Sequence, residues 1–159
     1  MKVSIIIPTY NAKESIKKAV DSAINQNFPK KDFEIIVVND SSTDNTLGIL
    51  QTYGKKIEII NQRNQGAVKA ANNGFKRAQG KYVIKLDADD YLESSIIKKM
   101  VTILDKNLKV DFVYSDYYEK SKKDEVKIVS TKDNIFNNVS EGIMFRKDNF
   151  KKEGFYRQD

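Results

Sequence analysis

Two short apolar runs near the start of the chain place the tightest limits on its fold. Residues 3–7 are almost entirely aliphatic and stop at Pro8, and residues 33–38 form a second run of the same kind. Neither run alternates between apolar and polar residues, as a strand with one solvated face would. Continuous apolar runs of this length predict strands that are buried on both faces, as in a parallel sheet covered by helices.

Segments with the apolar spacing of helices lie between these runs. Asn11 is predicted to cap the first helix, with Glu14 completing a capping box. Further helices are predicted at 45–53, 65–79, 93–106 and 147–152, and further strands at 56–61, 80–86, 111–118 (with 126–129 as its hairpin partner) and 142–146. This alternation predicts right-handed βαβ units. We therefore expect an α/β fold, a Rossmann-like and mostly parallel sheet with helices on both faces, in a single domain spanning 1–159.

The amino-acid composition narrows the possible chemistry. The 159 residues include no cysteine and no histidine, which excludes a thiolate nucleophile and an imidazole base or metal ligand. Proton transfer near neutral pH must then use Asp, Glu, Lys, Tyr or the substrate itself. The net charge of +6 comes from lysines spread over the chain and diluted by acids, so we do not expect nucleic acid as a partner.

The sequence also leads to an expectation about localisation. No segment approaches the ~20 consecutive apolar residues of a membrane-spanning helix. Met1 and Lys2 lead straight into a strand-like run, so no signal peptide is visible. We expect a cytoplasmic protein, with peripheral association at the inner face of the membrane as an additional expectation.

Polar residues gather directly after three of the predicted strands, at 8–11, 39–44 and 87–90. In open α/β sheets, ligands bind outside the carboxyl ends of the strands, near the point where the strand order reverses. One site can therefore collect all three clusters.

The acidic cluster is the most informative of the three. Asp87, Asp89 and Asp90 follow a buried strand, where like charges repel and lose hydration unless a cation lies among them. A divalent cation with oxygen ligands, whose remaining ligands are substrate phosphates, answers this need. We expect Asp87 and Asp89 to bind the metal or a nucleotide, while the small Ala88 lets a ligand approach. Asp90 or, alternatively, Ser94 is expected to cap the next helix.

Other polar positions have two interpretations each. Asp40 can accept hydrogen bonds from a base or ribose, whereas residues 42–44 also suit a capped loop that opens a helix. Thr9 and Tyr10 suit either a ligand site or an ordinary turn. Lys69 can reach a diphosphate or be solvated.

The segment that leads into the third helix combines packing and ligand signals. Asn64 and Gly66 precede that helix, whose N-terminus favours anions, and Gly66 leaves room for a ligand. Its small residues Ala67, Ala70, Ala71 and Gly74 are expected to pack closely on the sheet.

Three familiar motifs are absent. Counted from Asp87, a calcium-binding EF-hand would need glycine at Leu92 and glutamate at Lys98. Gly74 and Gly80 are one residue too far apart for a Walker phosphate loop. No GxGxxG dinucleotide fingerprint occurs.

Four ordered motifs resemble glycosyltransferase family 2. They are Ser4-Ile5-Ile6-Ile7-Pro8-Thr9-Tyr10-Asn11, Glu34-Ile35-Ile36-Val37-Val38-Asn39-Asp40-Ser41-Ser42-Thr43-Asp44, Asn64-Gln65-Gly66 and Leu86-Asp87-Ala88-Asp89-Asp90. The resemblance covers essentially the whole chain. It implies a GT-A fold and an inverting enzyme that uses a nucleotide-diphosphate sugar, with a glycan or glycolipid as acceptor.

The resemblance also implies roles for individual residues. Asp40 would contact the base, usually uracil. Asp89 would be the direct ligand of Mn²⁺ or Mg²⁺, with Asp87 nearer the ribose, and the metal would neutralise the departing diphosphate. The residues expected to bind the nucleotide sugar are Pro8, Thr9, Tyr10, Asn11, Asp40, Asn64, Gly66, Lys69, Asp87 and Ala88.

The sequence departs from the family pattern at several positions. Asn39 is more often Asp in the family and Ser41 more often Gly, while Ala71 stands where many members carry a basic residue, which Lys69 would have to replace. The family's carboxylate base follows a segment like Gly154-Phe155-Tyr156, so we expect the base beyond Asp159 and the chain to be the donor-binding half of an enzyme.

Two alternative functions remain at this point. A sugar nucleotidyltransferase shares this kind of fold but needs a glycine-rich, basic phosphate loop, which residues 8–11 do not supply. A non-catalytic module that only binds nucleotide sugars is the other alternative.

Overall fold

The computed structural model describes residues 1–120, 126–130 and 142–156. The strands are Val3–Thr9 (β1), Phe33–Asn39 (β2), Glu58–Asn61 (β3), Tyr82–Lys85 (β4), Phe112–Tyr114 (β5), Tyr117–Lys120 (β6), Val126–Val129 (β7) and Ile143–Arg146 (β8). The α-helices are Ile16–Ile24 (α1), Thr46–Gln51 (α2), Ala67–Arg77 (α3), Ile96–Lys106 (α4) and Lys147–Lys152 (α5). None of the helices in these ranges is long and apolar enough to cross a bilayer.

Six of the strands form one sheet in the order β3-β2-β1-β4-β8-β5. The first four are parallel, and β8 runs antiparallel to both of its neighbours. The chain enters at β1, builds outward to β3 and then returns to β4 on the other side of β1, so the strand order reverses between β1 and β4. The expected α/β fold with a mostly parallel sheet is confirmed, and β6 and β7 form a separate hairpin.

Hydrophobic residues are buried on both faces of this sheet. Ile5 and Ile7 of β1 join a cluster with residues of α1 and α4, whereas Ile6 points to a second cluster with α3 and α5. Because consecutive side chains of a strand point to opposite faces, a continuous apolar run supplies both clusters at once. The predicted helices on both faces are confirmed.

Helix α3 lies unusually close to the sheet. A Cβ added at Gly74 would lie 2.3 Å from Cγ2 of Ile6 and 3.2 Å from Cγ2 of Val38. Ala70 and Ala71 are buried on the same helix. The packing role predicted for Ala70, Ala71 and Gly74 is therefore confirmed. It is wrong for Ala67, which lies in the first turn and is exposed.

Two predicted helix starts are wrong. Helix α1 begins at Ile16, because Asn11 adopts a left-handed backbone conformation with φ 49° and its side chain bonds to another loop. Helix α4 begins at Ile96, because the Glu93 carboxylate accepts hydrogen bonds from the Ser95 amide at 3.0 Å and hydroxyl at 2.7 Å. Neither Asp90 nor Ser94 is its N-cap residue, which is Ser95.

The segment predicted as one strand at 111–118 is divided into β5 and β6. Its expected hairpin partner at 126–129 is confirmed as β7, which pairs with β6. The charged loop at 121–125 and Asp159 lie outside the described residues.

Candidate functional site

Two neighbouring cavities lie at the carboxyl ends of β1, β2 and β4. The first, of about 290 Å³, is lined by Pro8, Thr9, Tyr10, Asp40, Asn64, Gly66, Ala67 and Ala70. The second, of about 240 Å³, is lined by Pro8, Ala67, Val68, Ala71, Lys85, Asp87 and Tyr156. Pro8 and Ala67 are walls of both. The structure therefore brings the three polar clusters to one side of the sheet, next to the N-terminus of α3.

A larger cavity, of about 570 Å³, lies where β2 and β3 begin. Met1, Ile24, Phe33 and Ile57 are among its lining residues. It contains none of the three polar clusters, and it lies at the end of the sheet where ligands of α/β proteins seldom bind. We therefore assign the candidate site to the two smaller cavities.

Asp40 organises the floor of the first cavity. Only 2% of this residue is exposed. One carboxylate oxygen accepts hydrogen bonds from Nε2 of Gln62 at 2.7 Å and the amide of Gln65 at 2.9 Å, and the other accepts from the amide of Gly66 at 2.8 Å. A carboxylate has about four acceptor positions, so one remains for a ligand. The ligand role of Asp40 stays a prediction, and sequence reasoning missed that Asp40 holds the loop before α3.

Thr9 is the clearest sign of an incomplete site. It is 3% exposed, and its hydroxyl has no hydrogen-bond partner among the described residues. A buried polar group without a partner costs about 1–3 kcal/mol. Since Thr9 lines the first cavity, a polar ligand atom there can satisfy it. Tyr10 stands at the rim, where half of it is exposed.

A network of hydrogen bonds positions Thr9 and Tyr10. Oδ1 of Asn11 accepts from the amide of Thr43 at 2.7 Å, while the Asn11 amide donates to the Ser42 hydroxyl at 3.0 Å. The Asp44 carboxylate accepts from the amide of Thr46 at 2.9 Å, and hydrogen bonding from the Thr46 hydroxyl is the main cause of the lowered pKa of Asp44. The side chain of Asn11 therefore joins two loops, and Asn11 lines neither cavity.

The start of α3 forms the wall between the cavities. Its N-cap residue is Gly66, with φ 88° and ψ 159°, and no side chain caps the helix. The free amides of its first turn are therefore available to an anion. Asn64 and Lys69 are both exposed, but only Asn64 lines a cavity. Lys69 lines neither one.

The residues of the acidic cluster differ sharply in their surroundings. Asp87 has a side chain that is 28% exposed, and its two carboxylate oxygens lie 2.9 and 3.0 Å from Nζ of Lys85. Asp89 is exposed, and it forms no hydrogen bond or ion pair with the residues that the structure describes. Ala88 packs against the core cluster on the α1 and α4 side of the sheet and lines neither cavity.

These acids fit a divalent cation that is shared with a ligand. No group of three acidic side chains within the described ranges can hold a metal by itself. Asp87, Asp89 and Lys85 together carry a net charge of −1, which disfavours an approaching diphosphate unless a cation is added. Mg²⁺ commonly takes one or two protein carboxylates and completes its shell with water and substrate phosphates. Asp87, which lines the second cavity, and Asp89, which lines neither cavity, supply carboxylates of the kind that this arrangement uses.

The second cavity contains two residues that sequence reasoning did not select. Lys85 is the last residue of β4 and lies two positions before Asp87, on the same side of the strand. A lysine at the end of an otherwise apolar strand was the available signal. Tyr156 is distant in sequence from every other lining residue, and no local pattern indicated its place.

Comparisons with known proteins show the family of the chain. The sequence matches the profile of the family described as "Glycosyl transferase family 2" over residues 4–156. A poly(ribitol-phosphate) beta-glucosyltransferase from Bacillus spizizenii is 40% identical over 114 residues, which are 67% of this chain and 18% of the relative. WfaP from Escherichia coli, a UDP-Glc:alpha-D-GlcNAc-diphosphoundecaprenol beta-1,3-glucosyltransferase, is 41% identical over 118 residues, or 73% of this chain and 46% of the relative.

The solved structures extend the agreement to the fold. Staphylococcus aureus TarS (residues 1–349), in complex with UDP-GlcNAc, has a TM-score of 0.83 and 28% identity, covering 99% of this chain and 49% of that one. The six-stranded sheet thus has the GT-A architecture. This chain spans less than half the length of each of these three proteins. The chain belongs to glycosyl transferase family 2.

Proposed function

We propose that the two cavities bind a nucleotide-diphosphate sugar and that the chain is the donor-binding part of a glycosyltransferase. The observation that carries the proposal is the pair of cavities with common walls, one with a buried acceptor and an orphan hydroxyl, the other with a carboxylate–lysine pair. The first kind of surroundings suits a nucleoside, and the second suits a diphosphate once a divalent cation is added. The names of WfaP and of the TarS complex favour UDP as the nucleotide.

The nucleoside is assigned to the first cavity. The remaining acceptor position of Asp40 would take an N–H group of the base, which suits uracil. The Thr9 hydroxyl would gain its missing partner, Tyr10 would cover the base from the rim, and Gly66 and Asn64 would border the ribose.

The diphosphate is assigned to the second cavity and the open N-terminus of α3. When bound, Mn²⁺ or Mg²⁺ held by Asp89 with help from Asp87 would neutralise the charge of the departing diphosphate. The amides of Ala67 and Val68 favour the same negative charge. The residues of this chain would therefore orient the diphosphate in the second cavity, which Lys85 also lines.

The proposed reaction is glycosyl transfer with inversion. An acceptor hydroxyl oxygen bonds to the anomeric carbon, the bond from that carbon to the diphosphate oxygen breaks with its electron pair, and a carboxylate base takes the hydroxyl proton. We propose that this base follows Tyr156 in sequence, because Tyr156 lines the second cavity.

The acceptor is proposed to be a glycan or glycolipid of the cell envelope. The relatives' names include poly(ribitol phosphate) and a diphosphoundecaprenol lipid. An acceptor of the second kind would place the protein in the cytoplasm, in peripheral contact with the inner face of the membrane.

Calorimetric titration of UDP in the presence and absence of Mn²⁺ tests the donor site. We expect binding that depends on the metal and that falls about tenfold or more in Asp89→Asn, which keeps the shape but loses the charge. Asp32→Asn removes a carboxylate at the opposite end of the sheet and should bind UDP as the wild type does. Equal affinity in the wild type and Asp89→Asn would rule out the metal role. No binding of UDP, GDP or TDP under any condition would rule out the donor site.

A further inference from the structure

The ammonium group of Lys85 occupies an unusual position in the second cavity. Only 15% of its side chain is exposed, yet among the described residues its one ion-pair partner is Asp87, at 2.9 Å. Burial costs a lysine part of its hydration free energy, and an ion pair with a single carboxylate offsets only part of this cost. The ammonium group of Lys85 therefore lies in a cavity and can interact with a further anion.

The hydrogen-bond geometry leaves part of this ammonium group open. Nζ carries three N–H donors, and the two oxygens of Asp87 use at most two of them. Within the described part of the chain, Lys85 donates to no other acceptor. The ring of Tyr156 lies 6.0 Å from Nζ on one side, and it bounds the cavity without removing the third donor.

The surroundings of this donor favour an anion. Ala67 and Val68, at the uncapped N-terminus of α3, line the same cavity. Ala71, one turn further along, is small and buried, so it leaves the space in front of Lys85 open. Lys85 and free backbone amides thus face one volume of about 240 Å³, which is large enough for a phosphate group.

We propose that Lys85 is a diphosphate-binding residue of this chain. In the donor-free protein it holds Asp87 in place, and in the complex it donates its remaining N–H to a phosphate oxygen, so that Asp87 becomes more available to a divalent cation. This inference rests on the proposed function, because it assigns a ligand group to the second cavity of that same site.

The proposal predicts that Lys85→Met changes the affinity for Mn²⁺ and the affinity for UDP in opposite directions. Loss of the ammonium group removes one positive charge beside Asp87, so Mn²⁺ alone should bind more tightly, as measured by electron paramagnetic resonance of free Mn²⁺. UDP in saturating Mn²⁺ should bind about tenfold or more weakly, since hydrogen bonds to charged groups contribute ~1.5–3 kcal/mol. UMP, which lacks the second phosphate, should lose less affinity than UDP. A role in packing alone would weaken all three in parallel.

Two further variants keep the test decisive. Lys85→Arg retains the charge and should preserve most of the preference for UDP over UMP. Lys76→Met removes an exposed lysine at the far end of α3 and should match the wild type in every titration, with circular dichroism as the check on folding.

The failures of the two proposals are distinguishable. If the wild type binds UDP and Lys85→Met binds it equally well, the role of Lys85 is overturned and the donor site stands. If the wild type binds neither UDP nor UMP, with or without Mn²⁺, both proposals are overturned.

Discussion

The side-chain amide of Asn72 forms two hydrogen bonds with the backbone of Tyr156, 84 residues later in the chain. Nδ2 donates to the Tyr156 carbonyl at 2.8 Å, and Oδ1 accepts from the Tyr156 amide at 3.1 Å. Asn72 is buried in α3, and Phe75 of the same helix stacks on Phe155 with centroids 5.7 Å apart. The first turn of helix α3 therefore borders both cavities. The following turns of the same helix hold Phe155 and Tyr156, and Tyr156 closes the second cavity.

Replacing Asn72 by alanine should loosen this closure. The substitution removes both of these hydrogen bonds, so we expect a loss of about 1–3 kcal/mol in the free energy of unfolding. UDP affinity should fall as well, because Tyr156 lines the second cavity. Urea denaturation and calorimetry measure the two effects. Asn107→Ala, at an exposed helix end, should change UDP affinity little. If Asn72→Ala changes neither the free energy of unfolding nor the UDP affinity, the role given to the Asn72–Tyr156 hydrogen bonds is wrong.

Thr9→Val should separate stability from binding. Valine has nearly the shape of threonine but no hydroxyl, so it removes a buried group that has no partner among the described residues and should raise the melting temperature. The same change removes a ligand contact and should weaken UDP binding about tenfold. Thermal unfolding measures the melting temperature, and calorimetric titration measures the affinity for UDP. Thr9→Ser keeps the hydroxyl and should retain the affinity, whereas a Thr9→Val variant that binds UDP normally would remove Thr9 from the site.

Gly66→Ala should act through the backbone alone. An added Cβ meets no atom within 4 Å, but φ 88° with ψ 159° lies in a region that is essentially restricted to glycine. We expect a cost of about 1–3 kcal/mol, or a shift of the loop that breaks the Gly66–Asp40 hydrogen bond and lowers UDP affinity. Denaturation and calorimetry distinguish these results. Unchanged values in both would show that alanine is tolerated there.

Asp105 should make the stability of the fold depend on acidic pH. The neighbouring ammonium group of Lys2, at 2.8 Å, and the hydroxyl of Tyr82, at 2.6 Å, lower the pKa of its carboxyl to about 2. Because the pKa in the folded state is below the unfolded value, the contribution is fully present above about pH 4 and is lost as the pH falls toward 2.

Asp105→Asn is therefore expected to flatten the fall in unfolding free energy between about pH 4 and 2. Urea titrations at a series of pH values measure this slope. Tyr82→Phe removes one of the stabilising contacts, leaving those of Lys2 and Lys81, and should give an intermediate slope. A slope in Asp105→Asn as steep as in the wild type would assign acid sensitivity to other carboxylates.

Much of the fold could be predicted from local patterns. The buried runs at 3–7 and 33–38 can be stable only inside a covered sheet, and the alternation with helical spacing leaves few topologies open. The same patterns place residues 8–11, 39–44 and 87–90 at one end of the sheet, so the general location of the site also followed from the sequence.

The exact starts of the helices did not follow. Asn11 is the predicted cap of α1, but its side chain bonds to Thr43. Asp90 or Ser94 is the predicted cap of α4, but the N-cap residue is Ser95, which bonds to Glu93. The side chain of a capping residue can bond to any of several nearby backbone amides at similar free energy. Contacts with the rest of the fold therefore decide which amide it bonds to and where the helix begins.

The sequence by itself determined the α/β class, the helices on both faces and the region of the site, because burial patterns act over a few residues and have few solutions. Only the tertiary structure decided that Lys85 lies against Asp87, that Asp40 holds the loop before α3 and that Tyr156 closes the second cavity. Most of these relationships join residues far apart in the chain, and all of them depend on how close-packed elements such as α3 and β1 approach one another.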